Sequence, residues 1–216
     1  MNFHVITLFP EVVDAYAQAS ILGRAQKGKL LKVKTYQLRH FAGNKWGKVD
    51  ERPYGGGPGM VLRAEPVIKA VRSTPRFNLG KTKVIITSPS GKPLTNGYAK
   101  ALSKHKDVII VCGRYEGLDA RAKKVLKAEE VSVGPYILTG GEVPALAIMD
   151  ATARQIKGVL GKFESLEEGR VASRDVYTRP EILIYQKKKY RVPKVLLTGH
   201  HAKMDEWKDK KRSNPR

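Results

Sequence analysis

Cysteine is almost absent from this chain of 216 residues, which contains only Cys112. A single cysteine excludes a disulfide within the chain and a metal cluster built on cysteine. Because Cys112 ends the apolar run 108–112, we expect it to be a small buried hydrophobic residue. The five histidines are scattered, and the adjacent pair His200 and His201 has a spacing that suits chelation poorly. The sequence therefore predicts no metal centre.

Long apolar runs are also missing from the chain. No run approaches the ~20 residues that a membrane-spanning helix requires. Pro10 and Glu11 interrupt the first apolar stretch, so the chain does not open with a signal-peptide pattern. We expect a cytoplasmic protein that has no membrane partner.

Acidic residues are scarce relative to basic ones. Forty-one Lys and Arg residues oppose twenty Asp and Glu residues, which gives a formal net charge of +21. Such an excess favours a polyanionic partner, because each phosphate that a basic side chain neutralises releases condensed counterions. A charged surface that only keeps the protein in solution is the alternative explanation. Of the two, the charge favours a nucleic-acid partner.

Short β-rich runs alternate with helical patterns over the first 160 residues. The pattern predicts strands at 3–9, 31–36, 84–88, 108–112 and 129–133, and helices at 10–19, 64–72, 96–103, 120–126 and 142–156. Continuous apolar runs are typical of buried parallel strands, and strands that alternate with helices predict an α/β fold with a mainly parallel sheet. Such sheets bind ligands outside the carboxyl ends of their strands. The loops that follow these strands are therefore the candidate binding loops.

The pattern changes after residue 161. Residues 162–175 are polar and charged, with no apolar periodicity, and predict a flexible linker. The runs 182–185 and 190–192 predict a hairpin that turns at 186–189, and a basic helix and tail follow. We therefore predict one large domain at 1–161 and a small, mostly helical basic region at 176–216.

Three segments combine glycines with chemically useful groups. The glycines of residues 53–60 allow close backbone approach to a ligand, but no Lys-Ser/Thr pair completes a Walker loop. Residues 113–119 supply an aromatic ring, a cation and two carboxylates, and residues 132–144 mix apolar side chains with an accessible main chain that suits adenine. Each segment also has a simpler interpretation. These are a flexible surface loop, a capped helix start with solvated charges, and a tight strand-to-helix connection with Glu142 in the first helical turn.

Taken together, these segments resemble the bacterial tRNA (guanine-N1)-methyltransferases of the SPOUT class. The matching pieces recur in the order of that family and extend across most of the chain, at residues 6–10, 53–60, 113–117, 138–144, 158–161 and 177–180. A match of this extent is far more specific than any single motif.

The resemblance implies a fold, an activity and partners. The fold would contain a deep trefoil knot in the carboxyl half of the sheet, a rare exception to the rule against threaded loops. Domain 1–161 would bind the methyl donor S-adenosylmethionine, and region 176–216 would be a truncated RNA-binding domain. The enzyme would methylate N1 of the guanosine 3′-adjacent to the anticodon, position 37 of tRNA, which maintains the reading frame. It would act on the anticodon stem-loop as a two-fold homodimer, with each active site at the interface.

The resemblance also assigns candidate site residues. Glu116 resembles a carboxylate linked to catalysis and to magnesium dependence, and Arg154 resembles the catalytic arginine. The candidate donor-binding residues are Pro89, Gly91, Gly113, Tyr115, Gly117, Val133, Gly134, Pro135, Tyr136, Ile137, Leu138, Gly140, Gly141 and Pro144.

The chain departs from the family pattern in places that affect the chemistry. Pro135 stands where the family has an aspartate, so one polar contact near the donor is lost. The catalytic aspartate of the family has no aspartate counterpart here, but Glu168 lies within one residue of the expected place and Glu167 within two. Glutamate can perform the same proton transfer, because its reference pKa differs from that of aspartate by only ~0.4 unit. We predict that Glu168 is the base. The alternatives are Glu167, Asp175 or proton loss to water.

Three other functions are weighed against this one. A SPOUT enzyme acting on ribose or ribosomal RNA would share the knot but lack the pieces at 53–60 and 177–180. A non-catalytic RNA-binding protein on the same fold is supported only by the missing aspartate. A phosphate-binding enzyme is disfavoured, because the glycine-rich segment has neither a Walker lysine nor a dinucleotide fingerprint.

Overall fold

The computed structural model describes residues 1–160 and 175–212 of the chain. The chain divides into two compact units, Met1–Gly161 and Lys162–Arg216. Glu167, Glu168 and the rest of the linker predicted at 162–175 lie outside the described residues, except for Asp175. The roles assigned to the two regions stay predictions.

A five-stranded parallel sheet forms the centre of the first unit. The strands of this unit are β1 (Asn2–Thr7), β2 (Lys32–Gln37), β3 (Asp50–Glu51), β4 (Val61–Leu62), β5 (Lys83–Pro93), β6 (Asp107–Val111) and β7 (Glu129–Ser132). The sheet has the order β2-β1-β6-β5-β7, and each neighbouring pair is parallel. Strands β3 and β4 form a separate antiparallel pair. The predicted α/β fold with a mainly parallel sheet is confirmed, and the trefoil knot stays a prediction.

Six helices connect the strands in the described part of the first unit. They are α1 (Pro10–Gln18), α2 (Ser20–Lys27), α3 (Ala64–Arg72), α4 (Asn96–Leu102), α5 (Ala120–Leu126) and α6 (Glu142–Ala153). The sequence pattern missed α2, which starts after the extended residue Ala19 and buries Leu22 and Ala25. Within the two described ranges, no helix combines the length and the apolar character that crossing a membrane requires.

The helices cover both faces of the sheet. Along β6, Val108 and Ile110 face a core shared with α1, α2, α4 and α6, whereas Ile109 and Val111 face a core shared with α3 and α5. This alternation follows from the two-residue period of a strand, so a strand buried on both faces is apolar throughout. Cys112 lies in the first core and is buried, as predicted.

Helix α6 buries only part of the apolar set that its sequence pattern predicts. That set is Val143, Leu146, Ala147, Met149 and Ala153, of which Met149 and Ala153 are buried, but Val143 is 57% exposed. The other buried residues are Pro144, Ala145 and Ile148, together with the polar residues Glu142 and Thr152. Because the buried face of the helix includes polar residues, the positions of the apolar residues alone did not identify it.

Strand β5 is longer than predicted and changes register against β7. The pairing with β7 shifts between Thr87 and Lys92, and the strand continues to Pro93. Gly91 lies in this irregular stretch, where an added Cβ would lie 2.5 Å from the main-chain nitrogen of Val131. Glycine is therefore required at 91 for the two strands to lie this close together.

The second unit contains a hairpin and a helix among its described residues. Its elements are β8 (Ile182–Tyr185), β9 (Lys188–Arg191), a 3₁₀ turn at Lys194–Leu197 and α7 (His201–Arg212). The hairpin is confirmed, but its predicted second strand was wrong by about two residues. Gln186 and Lys187 both have positive φ, so they form a two-residue turn and the next two lysines join the strand.

Candidate active site

A cavity of about 390 Å³ lies at the carboxyl ends of β5, β6 and β7. Its walls come mainly from residues 86–90, 113–118 and 130–141. Two of these stretches belong to segments that the sequence singled out, 113–119 and 132–144, whereas residues 86–90 lie within β5 and segment 53–60 is not part of the wall. Parallel topology brings the wall stretches to one edge of the sheet. The volume lies in the range of about 300–1,000 Å³ that is usual for small-molecule sites.

Twelve of the fourteen candidate donor-binding residues line this cavity. They are Pro89, Gly113, Tyr115, Gly117, Val133, Gly134, Tyr136, Ile137, Leu138, Gly140, Gly141 and Pro144. Glu116 lines it as well, whereas Gly91 and Pro135 are not among the lining residues. Arg154 is also outside the lining and follows α6 at its carboxyl end. The structure thus groups most of the candidates, and their roles stay predictions.

Two of the cavity loops are joined through glycine backbone. The Gly113 N–H donates to Oγ1 of Thr87 at 2.9 Å, and the Gly141 N–H donates to the Gly113 carbonyl at 2.8 Å. A Cβ at position 141 would lie 2.1 Å from Oγ1 of Thr87 and 2.4 Å from the Gly113 nitrogen. Residue 141 must therefore be glycine for the loops to close in this way.

The outer wall of the cavity presents apolar side chains to solvent. Tyr136, Ile137 and Leu138 are all exposed, although they are large and apolar or aromatic. The ring of Tyr136 lies against Gly134, where an added Cβ would lie 2.3 Å from the ring. An apolar wall beside an accessible main chain suits a flat heteroaromatic ligand that is recognised by backbone groups.

Glu116 connects the cavity to the glycine-rich segment 53–60. The Glu116 N–H donates to the Met60 carbonyl at 3.0 Å, and β4 forms isolated bridges to Tyr115 and Leu118. Gly59 leaves room for the Glu116 side chain, since a Cβ there would lie 2.7 Å from Oε1 of Glu116. One end of the glycine-rich segment is therefore fixed against the cavity wall.

The sequence pattern did not indicate a buried ion pair that lies beside the cavity. Glu142 is only 2% exposed, its Oε1 accepts from Oγ1 of Thr7 at 2.7 Å, and its Oε2 lies 2.7 Å from Nη2 of Arg114. Arg114 also donates through Nη1 to the Thr139 carbonyl at 3.2 Å and lies 4.4 Å from the centroid of the Phe9 ring. The guanidinium thus neutralises a buried carboxylate and holds the loop that leads to Gly141.

Replacing Arg114 by alanine is expected to lower the free energy of unfolding by about 3 kcal/mol, because it leaves a buried carboxylate without its cation. Chemical denaturation of Arg114→Ala, Glu142→Gln and the double variant measures this effect. The double variant should be more stable than Arg114→Ala, since it removes the unpaired charge together with the cation. Equal stability of Arg114→Ala and the parent would show that this ion pair contributes nothing to folding.

The described residues do not point to metal or thiol chemistry. Within 1–160 and 175–212, no group of three or more His, Cys, Asp or Glu side chains could hold a metal ion. Burial raises the pKa of the Cys112 thiol well above its usual value, and the charge of Glu142 raises it further. Because the thiolate is the reactive form, Cys112 is not a nucleophile at neutral pH.

Known proteins resemble this chain along almost its whole length. Residues 1–215 match the family described as tRNA (Guanine-1)-methyltransferase TrmD. A tRNA (guanine-N(1)-)-methyltransferase of Pseudoalteromonas atlantica is 45% identical over 212 residues, which is 96% of this chain and 78% of that protein. Proteins of the same description from Desulforamulus reducens and Clostridioides difficile are 41% and 40% identical over 213 residues each. Both alignments cover 96% of this chain; they cover 82% of the Desulforamulus reducens protein and 90% of the Clostridioides difficile protein. The chain therefore belongs to the tRNA (guanine-1)-methyltransferase family.

Proposed function

We propose that this enzyme transfers the methyl group of S-adenosylmethionine to N1 of the guanosine at position 37 of tRNA, next to the anticodon. The observation that carries the proposal is the cavity at the ends of β5, β6 and β7, in a chain that belongs to this methyltransferase family. The cavity has a suitable volume, an apolar wall and a glycine-rich main chain. These are the features that an adenosyl group with a short charged tail requires.

The reaction makes specific demands on the protein. The lone pair of guanine N1 attacks the methyl carbon as the bond from that carbon to the sulfonium sulfur breaks, and S-adenosylhomocysteine leaves. N1 carries a proton near neutral pH, so a base must accept this proton. Negative charge then builds on guanine O6, where an arginine stabilises it in a site that excludes water. We assign the base to Glu168 and the arginine to Arg154, and Glu116 to a catalytic role at the cavity wall.

The position of Arg154 supports an active site that is shared between two subunits. Pro144 is the last residue of α6 that lines the cavity, and Arg154 lies ten residues further along. At a rise of 1.5 Å per residue, the two Cα atoms are about 15 Å apart along the helix axis. We therefore propose that each cavity is completed by the partner subunit's Arg154 in a two-fold homodimer.

Exposed apolar side chains on the first unit support a homodimer. Val12 and Tyr16 on α1 are exposed, as are Phe9 just before α1 and Val143 on the first turn of α6. Helices α1 and α6 pack against each other, so these residues belong to neighbouring elements. An interface between two copies would remove this apolar surface from water.

Mixing two inactive variants tests the shared site. Arg154→Ala removes the arginine and Gly141→Trp blocks the cavity, so each pure variant should be inactive. Co-refolded or subunit-exchanged equal mixtures should regain up to about a quarter of the parent activity, because about half of the dimers are mixed and each mixed dimer contains one intact composite site out of two. Mixtures that stay inactive, although native mass spectrometry shows mixed dimers, would contradict a composite site.

The RNA substrate is proposed from charge and from the family. A net charge of +21 favours RNA, and we assign part of this affinity to the basic region 176–216. Because its substrate is tRNA, we propose a cytoplasmic location for the enzyme. The described residues contain no group of three or more His, Cys, Asp or Glu side chains that could hold a metal ion.

A methylation assay tests the proposed function. The protein, S-adenosylmethionine and a tRNA transcript with guanosine 37 should yield 1-methylguanosine, identified by mass spectrometry after digestion to nucleosides. A transcript with adenosine at position 37 should yield none. A ribose-methylated product, or methylation of ribosomal RNA alone, would overturn the proposal. Calorimetry that shows no donor binding at ~1 mM, where a ligand gains only about 4 kcal/mol, would overturn the methyltransferase assignment as well.

A further inference from the structure

A tryptophan projects into solvent from the first unit, outside the cavity. Trp46 is 77% exposed, and its backbone lies in the segment that leads from the 3₁₀ turn Leu38–Phe41 to β3. No part of the proposed chemistry uses this side chain. A single exposed hydrophobic residue needs no explanation by itself, but Trp46 is held in a hydrogen-bonded turn and has a lysine beside its ring.

The turn that carries Trp46 is held in place by one asparagine. Oδ1 of Asn44 accepts from the Trp46 N–H at 3.1 Å and from the Lys48 N–H at 3.0 Å. Nδ2 of Asn44 donates to the Lys48 carbonyl at 2.8 Å and to the Ala42 carbonyl at 3.2 Å. Arg39 donates to the Gly47 carbonyl at 3.3 Å, and the positive φ of Gly47 allows the turn. A preorganised turn loses little further entropy when its exposed side chain binds a ligand.

Positive charge accompanies the tryptophan. Nζ of Lys45 lies 4.7 Å from the centroid of the Trp46 ring. Arg39 braces the same turn, and Lys48 lies two residues after Trp46, paired with Glu51. An aromatic face with a neighbouring cation is the arrangement by which proteins stack an unpaired base and neutralise its phosphate. This chemistry fits single-stranded RNA better than it fits an apolar protein surface.

The turn is connected to the cavity wall by a short path. Trp46 lies four residues before β3, which pairs with β4, and β4 forms isolated bridges to Tyr115 and Leu118. Four residues span at most about 14 Å, so Trp46 lies close to the β3–β4 pair. The turn and the cavity wall are therefore linked through the β3–β4 pair.

We propose that Trp46 is a stacking platform for an unpaired base that flanks the target nucleotide, and that Lys45 pairs with the adjoining phosphate. The inference rests on the proposed RNA substrate and adds a recognition site outside the cavity. The ring binds the π-face of a base without regard to its identity, so Trp46 contributes affinity and register rather than sequence choice.

Fluorescence of a single tryptophan tests the contact directly. The chain has two tryptophans, so Trp207→Phe leaves Trp46 as the sole tryptophan of the full-length protein. Adding an anticodon stem-loop RNA of about 17 nucleotides should quench the emission of Trp46 until the binding site is saturated. Replacing one loop nucleotide near the target guanosine by an abasic residue should remove most of the quenching. The variant Trp46→Phe, which keeps only Trp207, is the control for quenching elsewhere.

Affinity measurements with matched variants complete the test. Trp46→Ala should weaken stem-loop binding roughly tenfold, Trp46→Phe should retain most of the affinity, and neither should change the affinity for S-adenosylmethionine. Lys45→Ala should lower the slope of log affinity against log salt by about 0.7–0.9, the loss of one phosphate contact. Leu79→Ala, which removes another exposed apolar side chain, should leave RNA affinity unchanged.

Three outcomes overturn the proposal, and they are distinguishable. RNA affinity of Trp46→Ala within twofold of the parent, with methylation intact, rejects the platform and leaves the proposed function standing. A shift of Trp46→Ala from dimer to monomer in sedimentation assigns the surface to a second copy of this chain. Failure of the parent to bind the stem-loop at all rejects the platform and the tRNA substrate together.

Discussion

Replacing Gly141 by alanine is expected to lower the affinity for S-adenosylmethionine and the rate of methyl transfer by at least about a hundredfold. The added Cβ would meet Oγ1 of Thr87 at 2.1 Å and the Gly113 nitrogen at 2.4 Å, so the loops that wall the cavity must separate. Neither neighbour is the end of a long flexible side chain. A displacement of about 1 Å in a binding wall can cost about 10²-fold in rate. Isothermal calorimetry and single-turnover kinetics measure the two effects.

Two further glycine variants serve as comparisons for Gly141→Ala. At Gly140 an added Cβ would meet side chains and no main chain, Cζ of Arg114 at 2.4 Å and Oε2 of Glu142 at 2.7 Å, so Gly140→Ala should disturb the buried ion pair and lower the free energy of unfolding. At Gly97 the only neighbour is Oγ1 of Thr95 at 3.8 Å, so Gly97→Ala should behave like the parent. Circular dichroism and thermal unfolding must show that all three variants fold. Parent-like donor affinity in a folded Gly141→Ala would mean that this loop contact does not shape the donor site.

The central sheet could be predicted because its signals are local and redundant. The run 108–112 is apolar at every position, which fits only burial on both faces, and the structure buries all five residues between two helical layers. The predicted bounds of α3 and α5 also agree with the structure. In contrast, α2 follows α1 after one extended residue with no proline or glycine at the break, so its start gave no signal.

The cavity could be located from the sequence, but its internal bonding could not. Parallel topology brings the ends of neighbouring strands to one edge of the sheet, and two of the three glycine-containing segments, 113–119 and 132–144, line the same cavity there. The hydrogen bond between Thr7 and Glu142 joins residues that are 135 positions apart. Nothing in either local sequence indicates this contact, and Glu142 alone fits an ordinary first-turn helix residue. Distant polar pairs of this kind become visible only when the fold is known.

Gly91 and Pro135 were predicted to bind the donor, and neither is among the residues that line the cavity. Their role toward the donor stays a prediction. Gly91 has a structural reason to be glycine, because β5 lies close to the Val131 backbone there. A residue that builds the wall and a residue that touches the ligand produce the same motif, and sequence alone does not separate them.

Loss of the catalytic base is expected to reduce single-turnover methyl transfer by roughly 10²–10⁴-fold, the usual contribution of a positioned base. We predict this loss for Glu168→Gln, because Glu168 lies within one residue of the place where the family has its aspartate. Its additional methylene group can offset a shift of one residue. Glu167→Gln and Asp175→Asn test the two alternatives, and Glu164→Gln is the matched control for removing one negative charge from the same segment.

The pH dependence separates a base from a residue that only helps to bind RNA. Without its base, the enzyme must release the N1 proton to water or hydroxide, so the rate of Glu168→Gln should rise steeply with pH and approach the parent at high pH. A variant that only weakens RNA binding should regain the parent rate at saturating tRNA, at every pH. Glu164→Gln should stay within a few-fold of the parent throughout. If Glu168→Gln, Glu167→Gln and Asp175→Asn all do the same, then these residues supply no base, and the N1 proton leaves by another route.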